Sequence, residues 1–580
     1  MSVFSVIGMI TVGLIGLVIF LVTLKKIFSK RLPKSIFLTL DLNEKLIDFL
    51  PNEPLAQYVN RNKLTLLSML ESLKKASEDS AVKGIIVKVG KPQFGLAKIQ
   101  EIRDAILQFN KKGKETIVFS ESFGESSMGL YYLATAFSKV CLLPCGDLGL
   151  TGLSYETPFV KNLLKKIGIT PRMDHRCEYK NMLNMFTEES FTAPHKESIG
   201  RILTSHFNQI IKGISEQRGI SFDDLTSLVD EGPIDAQKAL DLKLVDHVCY
   251  RDEVIDLIKN KFTKKIKFIR LSDYLNKRGG YYIKGEQLAV IYGVGKVIQG
   301  KSEFSPLSKK VSMGSDSVAA AFRAAAKNKK NKAIIFRVDS PGGSHIASDI
   351  IWREVLQAKK KGKPVIVSMG DVAGSGGYYI SIPANKIIAQ PGTLTGSIGV
   401  VAGKMLISDA TEKVGISWDQ VSQGNRAKMN KATHDYSEDE WKEFQRSLDK
   451  VYNDFMQKVA KGRGLSFEET QNVAKGRVWT GEDAIDNGLI DCFGGFELAI
   501  DLAKKEAKIP EKKNVQLKVY PAKKTLTESL LQGKNKENDT VVSMFGGSGV
   551  SAIEEVGGMF FNPKKKNILL DHFLCDKGNL

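Results

Sequence analysis

Cysteine and histidine are scarce in this chain of 580 residues, which has six cysteines and seven histidines. Only Cys141 and Cys145 lie close together, and no second pair completes the spacing of a zinc site. We therefore predict no metal, while the spacing neither assigns nor excludes a disulfide bond. No nucleic-acid-binding motif is interleaved with the lysines, so nucleic acid is the last partner that we consider.

Positive charge is in excess, because 84 lysines and arginines face 65 aspartates and glutamates and give a net charge of +19. The lysines form short runs, such as residues 327–332, 359–361 and 564–566. A solvated surface is the first interpretation of each run, and attraction to anionic lipid is the second. The length of the chain allows two or more domains, each with its own core.

The N-terminus carries the longest apolar run, from Val3 to Leu24. About 20 such residues span a bilayer. No lysine or arginine precedes the run, and it leads into a basic segment rather than a small-residue cleavage site, which argues against a cleaved signal peptide. We predict one membrane helix, with residues 1–33 as anchor and basic flank. The flanking charge alone would place the following residues in the cytoplasm.

Apolar strand-like runs then alternate with amphipathic helical patterns, which is typical of α/β folds with βαβ units. A linker at Gly279–Tyr282 separates two stretches with this rhythm. We predict a first domain at 34–280, a second at 281–510 and a loosely ordered basic tail at 511–580. The two domains are called the first half and the second half below.

The two halves repeat each other. Tyr131-Tyr132 matches Tyr378-Tyr379 at an offset of 247 residues (378 minus 131). Further matches follow in the same order, upstream at an offset of 249 and downstream at 245, as in residues 218–222 and 463–467. Ordered matches over most of both halves predict a tandem duplication.

One stretch of the second half has the pattern of a nucleophile turn. Residues 370–379 contain Ser375 between glycines, after the strand-like run 364–369 and before a helical segment. Such a turn can hold a serine hydroxyl out toward a substrate. Glycine and serine alone more often mark an ordinary turn. At the offset of 247 the first half has Met128 instead, so only the second half has the serine.

A serine nucleophile needs a base, and the residues alone do not choose one. His345 and His434 are candidates, although each is more simply a surface or core histidine. A lysine serves equally well if burial lowers its pKa toward neutrality. The 84 basic residues leave this choice open.

Several segments in a fixed order resemble the signal peptide peptidase A (protease IV) family in its long, two-domain form. They are residues 178–180, 339–343, 370–379 and 395–400. The resemblance implies a tandem pair of βαβ spirals related to crotonase and Clp protease folds. The site residues that it implies are Ser375 as nucleophile, Lys180 as general base, Ser397 as the serine that orients the lysine, and the backbone N–H groups of Gly343 and Gly376 as oxyanion hole. The repeat agrees, because the counterpart of Lys180 is Ala427, with Lys428 as a near miss.

The expected activity is that of a membrane-anchored serine endopeptidase that degrades cleaved signal peptides and other apolar peptides, without metal or other cofactor. The resemblance further implies a homo-oligomer, in the family a tetramer, with catalytic halves outside the cytoplasm. It outweighs the opposite indication of the flanking charges. Membrane lipid is expected to contact the N-terminal helix. Two alternatives remain: an acyl-CoA enzyme of the crotonase type and a non-catalytic membrane scaffold.

Overall fold

The computed structural model describes residues 32–43, 46–49, 64–90, 94–124, 128–262, 265–304 and 311–521. The predicted membrane anchor and most of the predicted tail lie outside these residues. Within the described ranges, no helix combines the length and the apolar character needed to cross a bilayer.

Strands and helices alternate through both halves, as predicted. The first half contains the strands β1 Ile36–Asp41, β2 Val82–Val89, β3 Glu115–Ser120, β4 Lys139–Leu142, β5 Asp147–Leu148, β6 Thr170–His175, β7 Ile234–Asp235, β8 His247–Val248 and β9 Lys267–Arg270. Its helices are α1 Leu66–Glu78, α2 Leu96–Lys111, α3 Met128–Ala134, α4 Lys161–Ile167, α5 Asn184–Thr187, α6 Ala193–Arg218, α7 Phe222–Glu231, α8 Ala236–Asp241, α9 Arg251–Phe262 and α10 Leu271–Arg278, with a 3₁₀ turn at Asn181–Leu183.

The second half follows the same plan and continues past residue 510. Its strands are β10 Glu286–Val294, β11 Lys296–Ile298, β12 Glu303–Phe304, β13 Val311–Gly314, β14 Asn331–Ser340, β15 Val365–Gly374, β16 Lys386–Ala389, β17 Leu394–Gly396, β18 Val401–Leu406, β19 Val478–Thr480, β20 Cys492–Phe493 and β21 Val515–Tyr520. Its helices are α11 Ser315–Lys327, α12 His345–Lys360, α13 Gly376–Ser381, α14 Ser408–Lys413, α15 Glu438–Arg463, α16 Phe467–Val473, α17 Gly481–Asp486 and α18 Phe496–Glu506.

Each half is built on a mainly parallel sheet, and the second sheet has one antiparallel pair, β17 with β19, at its edge. The first has the strand order β8-β4-β3-β2-β1-β9, and all of its neighbouring strands are parallel. The second has the order β19-β17-β15-β14-β10-β21, with β16 paired to β15 and β20 paired to β16. The central strand β14 is largely buried, and its middle is the apolar run Ala333–Phe336, as expected where helices cover both faces of a parallel sheet. The chain is therefore mixed α/β, as predicted.

The duplication is visible in the helices. Helices α2 and α12 both have 16 residues and start 249 residues apart (345 minus 96). Helices α6 and α15 both have 26 residues and start 245 apart (438 minus 193). Both long helices begin at a hydroxyl cap, Thr192 or Ser437, and end at a left-handed glycine, Gly219 or Gly464. The same local signals therefore bound the same helix in each repeat.

The predicted loosely ordered tail starts too early in the chain. Residues 515–520 form β21, which pairs in parallel with Glu286–Ile291 of β10. Val515 and Tyr520 are buried, and the Tyr520 hydroxyl accepts a hydrogen bond from Asn331 Nδ2 at 3.1 Å. The lysine-rich composition concealed an edge strand whose ends are buried in the core.

The two halves contact each other through a strand pair close to Lys180 and through a shared core. Strand β6 of the first half pairs antiparallel with β18 of the second, His175 facing Val401. The second sheet also shares the core of the first half, because Val290, Ile335 and Ile366 join the first half's cluster while their neighbours pack under α11 and α12. Because side chains alternate along a strand, one face of the second sheet packs in the cluster of the first half and the other face packs under α11 and α12.

Candidate active site

Ser375 stands between the end of β15 and the start of α13. Its backbone has φ of +51° and ψ of −117°, a conformation that non-glycine residues rarely adopt. The Ser375 N–H donates to the carbonyl of Gly396 at 2.9 Å, and the Ser375 carbonyl accepts from the Tyr379 N–H at 2.9 Å. Hydrogen bonds on both sides therefore fix this strained turn, a feature common at functional sites.

Lys180 comes from the first half, 195 residues before Ser375, and its ammonium group contacts the serine. The Lys180 Nζ lies 3.2 Å from Ser375 Oγ, 2.8 Å from Ser397 Oγ and 2.9 Å from the Ser397 carbonyl oxygen. Only 4% of the lysine is exposed. The structure thus brings together the three side chains that the resemblance implied.

The surroundings of Lys180 favour its neutral form. Burial lowers the pKa of Lys180 to about 7, because a charged ammonium loses its hydration there. Among the described residues no carboxylate pairs with its Nζ. A large fraction of this lysine is therefore neutral near pH 7 and able to accept a proton.

Two glycines make room for the lysine. A Cβ atom on Gly476 would lie 2.7 Å from Lys180 Cβ, and one on Gly399 would lie 3.2 Å from Lys180 Cδ. Gly476 also has φ of +78°, in the left-handed region. The adjacent N–H of Tyr179 donates to the carbonyl of Lys475 at 3.1 Å. The lysine therefore extends through a slot lined by backbone of the second half.

Ser397 is held as firmly as the nucleophile. Its φ is also +51°, and its N–H donates to the carbonyl of Arg477 at 2.7 Å. Its hydroxyl and its carbonyl are both acceptors for Lys180 Nζ. This pair of contacts aims the lysine's remaining lone pair or proton at Ser375.

The predicted oxyanion donors lie on either side of Ser375. Gly343 has φ of +149°, and a Cβ there would lie 2.2 Å from the carbonyl oxygen of Val297. A Cβ on Gly376 would lie 3.2 Å from the nitrogen of Gly343, so the two backbones are close together. In the described part of the chain, neither N–H has a hydrogen-bond acceptor. Two free donors next to the serine suit the oxygen of a tetrahedral intermediate.

The other candidate bases have different partners. His345 Nε2 contacts Asp454 Oδ2 at 3.2 Å, and His434 Nε2 contacts Glu440 Oε2 at 3.1 Å. Lys428 lies in a turn, in which its backbone carbonyl accepts a hydrogen bond from the Lys431 N–H. Within the described ranges, Lys180 is the basic side chain that hydrogen-bonds the Ser375 hydroxyl.

Sequence reasoning missed the segment 475–477, about 100 residues beyond the nucleophile. Its three residues position Tyr179, Lys180 and Ser397 through backbone contacts. The available signal was a glycine between two basic residues, which more often marks a solvated turn. Backbone carbonyls carry no residue-specific pattern, so the segment could be found only in three dimensions.

Comparison with known proteins gives a family match over two stretches. The model of peptidase family S49 matches residues 108–267 and 357–510, one in each half. The chloroplastic serine protease SPPA of Arabidopsis thaliana is 31% identical over 526 residues, covering 89% of this chain and 76% of that protein. Protease 4 of Haemophilus influenzae is 31% identical over 460 residues, covering 76% and 73%. A signal peptide peptidase SppA of Enterococcus faecium, so named without proof of function, is 35% identical over 33% of this chain and 56% of that protein.

Proposed function

Because the chain belongs to peptidase family S49 and is a serine protease, we propose that it cleaves peptide bonds with Ser375 as nucleophile and Lys180 as general base. The observation that carries this assignment is the 3.2 Å contact between Lys180 Nζ and Ser375 Oγ. It occurs where burial lowers the pKa of the lysine to about 7. Family membership decides against the acyl-CoA enzyme and the non-catalytic scaffold.

The reaction proceeds through an acyl-enzyme. Neutral Lys180 takes the proton of the Ser375 hydroxyl as its oxygen attacks the peptide carbonyl, and the N–H groups of Gly343 and Gly376 stabilise the oxyanion. The protonated lysine then gives that proton to the leaving amine, so the C–N bond breaks and an ester remains. Water, deprotonated by the same lysine, hydrolyses the ester. Ser397 keeps the lysine aligned in both steps.

Apolar peptides are the proposed substrate class. Met182, two residues after Lys180, is 60% exposed, and Ile346, three residues after Gly343, is 59% exposed. Exposed apolar side chains so close in sequence to the site residues are available to pack against the apolar side chains of a peptide. The printed name of the Enterococcus relative points to signal peptides, which are apolar segments. We therefore propose that cleaved signal peptides are among the substrates.

Replacing Ser375 with alanine should abolish hydrolysis of fluorogenic apolar peptides, because no other described hydroxyl contacts Lys180 except that of Ser397. The measurement is kcat/KM for wild type and Ser375→Ala on matched apolar and acidic peptides. A serine-directed acylating inhibitor should label wild type and not the variant. Retained hydrolysis by Ser375→Ala would remove Ser375 from its role, and equal rates on both peptides would contradict the apolar preference.

Membrane attachment through residues 3–24 also belongs to this proposal, with the catalytic halves outside the cytoplasm in a homo-oligomer. The supporting observation is the length and apolar character of that run. Protease added to intact spheroplasts should therefore digest the chain beyond Lys34 without any need for detergent. Protection in intact spheroplasts would instead show that the basic flank keeps both halves in the cytoplasm.

Each half is further proposed to be a variant of the crotonase and Clp protease spiral. The parallel sheets and the attached strands β16 and β17 beside β15 support this relation. Superposition of an experimental structure of one half on a Clp protease subunit would test it, and a match limited to the central strands would refute it.

A further inference from the structure

A second buried lysine, Lys98, lies where the two halves meet, and it contacts three carboxylates. Its Nζ is 2.5 Å from Asp48 Oδ2, 2.7 Å from Asp339 Oδ2 and 3.3 Å from Asp371 Oδ2. Only 12% of its side chain is exposed. Lys98 comes from the third residue of α2 in the first half, whereas Asp339 and Asp371 belong to the second half.

The two aspartates stand at the base of the two turns that form the proposed site. Asp339 lies three residues before Gly342 at the end of β14, and Asp371 lies four residues before Ser375. Asp339 Oδ1 also accepts a hydrogen bond from the Val372 N–H at 3.1 Å, which ties one turn to the other. Lys98 therefore contacts both turns at the point where they are joined.

The first half reinforces this contact with its backbone. The N–H groups of Gly95 and Lys98, at the start of α2, each donate to a carboxylate oxygen of Asp371 at 2.9 Å. Asp371 thus accepts from the helix start, and the lysine also attracts its negative charge at 3.3 Å. Helix α2 is therefore docked on the second half by a specific polar contact beneath the nucleophile turn.

Lys98 is electrostatically the opposite of Lys180. Burial alone would lower the pKa of Lys98, but the carboxylates of Asp48, Asp371 and Asp339 raise it well above the ordinary value. Among the residues that the structure describes, Lys180 has no carboxylate partner, and burial lowers its pKa. One buried lysine is thus kept charged to hold structure, and the other is kept able to lose its proton.

The repeat divides these residues between the halves. Helix α12 is the counterpart of α2 at an offset of 249, and Ala347 occupies the position of Lys98 (347 minus 98). The counterpart of Asp339 at the same offset is Gly90. Only the first half has the lysine, and only the second has the aspartate. Lys180 and Ser375 are divided between the halves in the same way.

We propose that Lys98 is a positioning residue for peptide hydrolysis, by which the docked first half holds the nucleophile turn and the oxyanion turn in register. This inference rests on the proposed function of Ser375. The separation of the Ser375 hydroxyl from the N–H of Gly343 depends on how the two turns lie against each other. Lys98 acts through Asp339 and Asp371 and does not touch the substrate.

Replacing Lys98 with methionine should lower kcat about 100-fold, because a misplacement of about 1 Å between catalytic groups has an effect of that size. KM should stay within about threefold, since Lys98 acts through Asp339 and Asp371 and does not touch the substrate. Lys98→Arg, which keeps the charge, should recover at least about tenfold of the lost kcat. The kcat, the KM and the rate of labelling by a serine-directed acylating inhibitor are measured on the full chain.

Lys74→Met is the matched control, because Lys74 of α1 pairs with Glu497 of α18 and also joins elements of both halves. It should keep kcat within about threefold, because among the described residues this pair hydrogen-bonds Tyr282 and neither of the two turns. Should Lys98→Met fail to fold, Asp371→Asn gives the same readout, because it removes the charge and keeps an acceptor for the helix start.

Unchanged kcat in the folded Lys98→Met protein, or in Asp371→Asn, would overturn the proposal. Equal losses in Lys98→Met and Lys74→Met would also overturn it, because the effect would then be general to the junction. Neither outcome affects the proposed function, which is tested separately by Ser375→Ala and Lys180→Met. The two failures are therefore distinguishable.

Discussion

Replacing Lys180 with methionine should lower kcat by at least about 10³-fold, because the serine loses the base that takes its proton. Methionine has a similar length and is apolar, so it should fill the slot between Gly399 and Gly476. The matched control is Lys428→Met, at the near-miss position of the second half, which should retain the activity of the wild type. Loss of activity in the control and not in Lys180→Met would assign the base to the second half.

The wild-type enzyme should also show a pH profile set by this lysine. Since the pKa of Lys180 is about 7, kcat/KM should rise through neutral pH and level off at mildly alkaline pH. The lysine of the free enzyme must be neutral to accept a proton, so kcat/KM should fall as the pH is lowered. A profile that is flat between pH 6 and pH 9 would contradict the lowered pKa.

The same shift predicts a stability difference with a defined sign. The unfolded chain binds a proton at Lys180 up to the ordinary pKa of 10.5, whereas the folded chain binds it only up to about 7. Between these values the unfolded state binds more protons, so the wild type gains stability as pH rises. At about 1.4 kcal/mol per pKa unit, the contribution of Lys180 to the free energy of unfolding rises by about 3 kcal/mol between pH 6.5 and pH 9.5.

Lys180→Met removes this titration and serves as the reference. The free energy of unfolding is measured with urea for both proteins at both pH values. The value for the variant minus that for the wild type should be larger at pH 6.5 than at pH 9.5. The hydrogen bonds to Ser397 that the variant lacks do not affect this comparison, because their loss is the same at both pH values. A difference that does not change with pH would show that the lysine titrates normally in the folded protein.

The parts of the site that could be predicted from sequence are those carried by glycine and serine turns. Ser375 follows an apolar strand and Gly343 sits in a turn that only glycine can occupy, so their local conformation is encoded locally. Lys180 required the family resemblance and the repeat, because a lysine among 84 basic residues has no local signature. Its lowered pKa comes from burial, which is a property of the assembled halves.

The contacts between halves were beyond sequence reasoning for the same reason. Lys98 and Asp371 are 273 residues apart, and nothing in their neighbourhoods indicates that they meet. The edge strand β21 was missed because its alternation was short and lay among lysines. Long-range pairing depends on which surfaces are complementary in shape and charge. Composition indicates only which segments are exposed to solvent.

Co-expression of Ser375→Ala and Lys180→Ala chains should give mixed oligomers with no peptidase activity. The reason is that Lys180 reaches Ser375 within one chain, where the β6–β18 pairing and the Tyr179 contact to Lys475 deliver it. Fusion of the two repeats keeps these partners at high effective concentration. Every chain in the mixture would then lack one member of its own pair.

The decayed repeat positions fit this arrangement. Met128, which replaces the serine in the first half, is buried in its core, whereas Ala427, which replaces the lysine in the second, is exposed. A duplicated ancestor whose serine met the lysine of its neighbour would have had two kinds of boundary, one within a chain and one between chains. Only the boundary within the chain keeps both residues, so the other kind was free to lose them.

Two affinity tags, one on each variant, would confirm that the recovered oligomers contain both chains before activity is measured. If sites formed between chains, random mixing would restore about a quarter of them, because each needs an intact lysine from one chain and an intact serine from the other. Wild type co-expressed with Ser375→Ala is the control that shows how much activity a half-active oligomer retains. Recovery near a quarter of the wild-type rate would move the active site to the boundary between chains and leave Ser375 and Lys180 as its members.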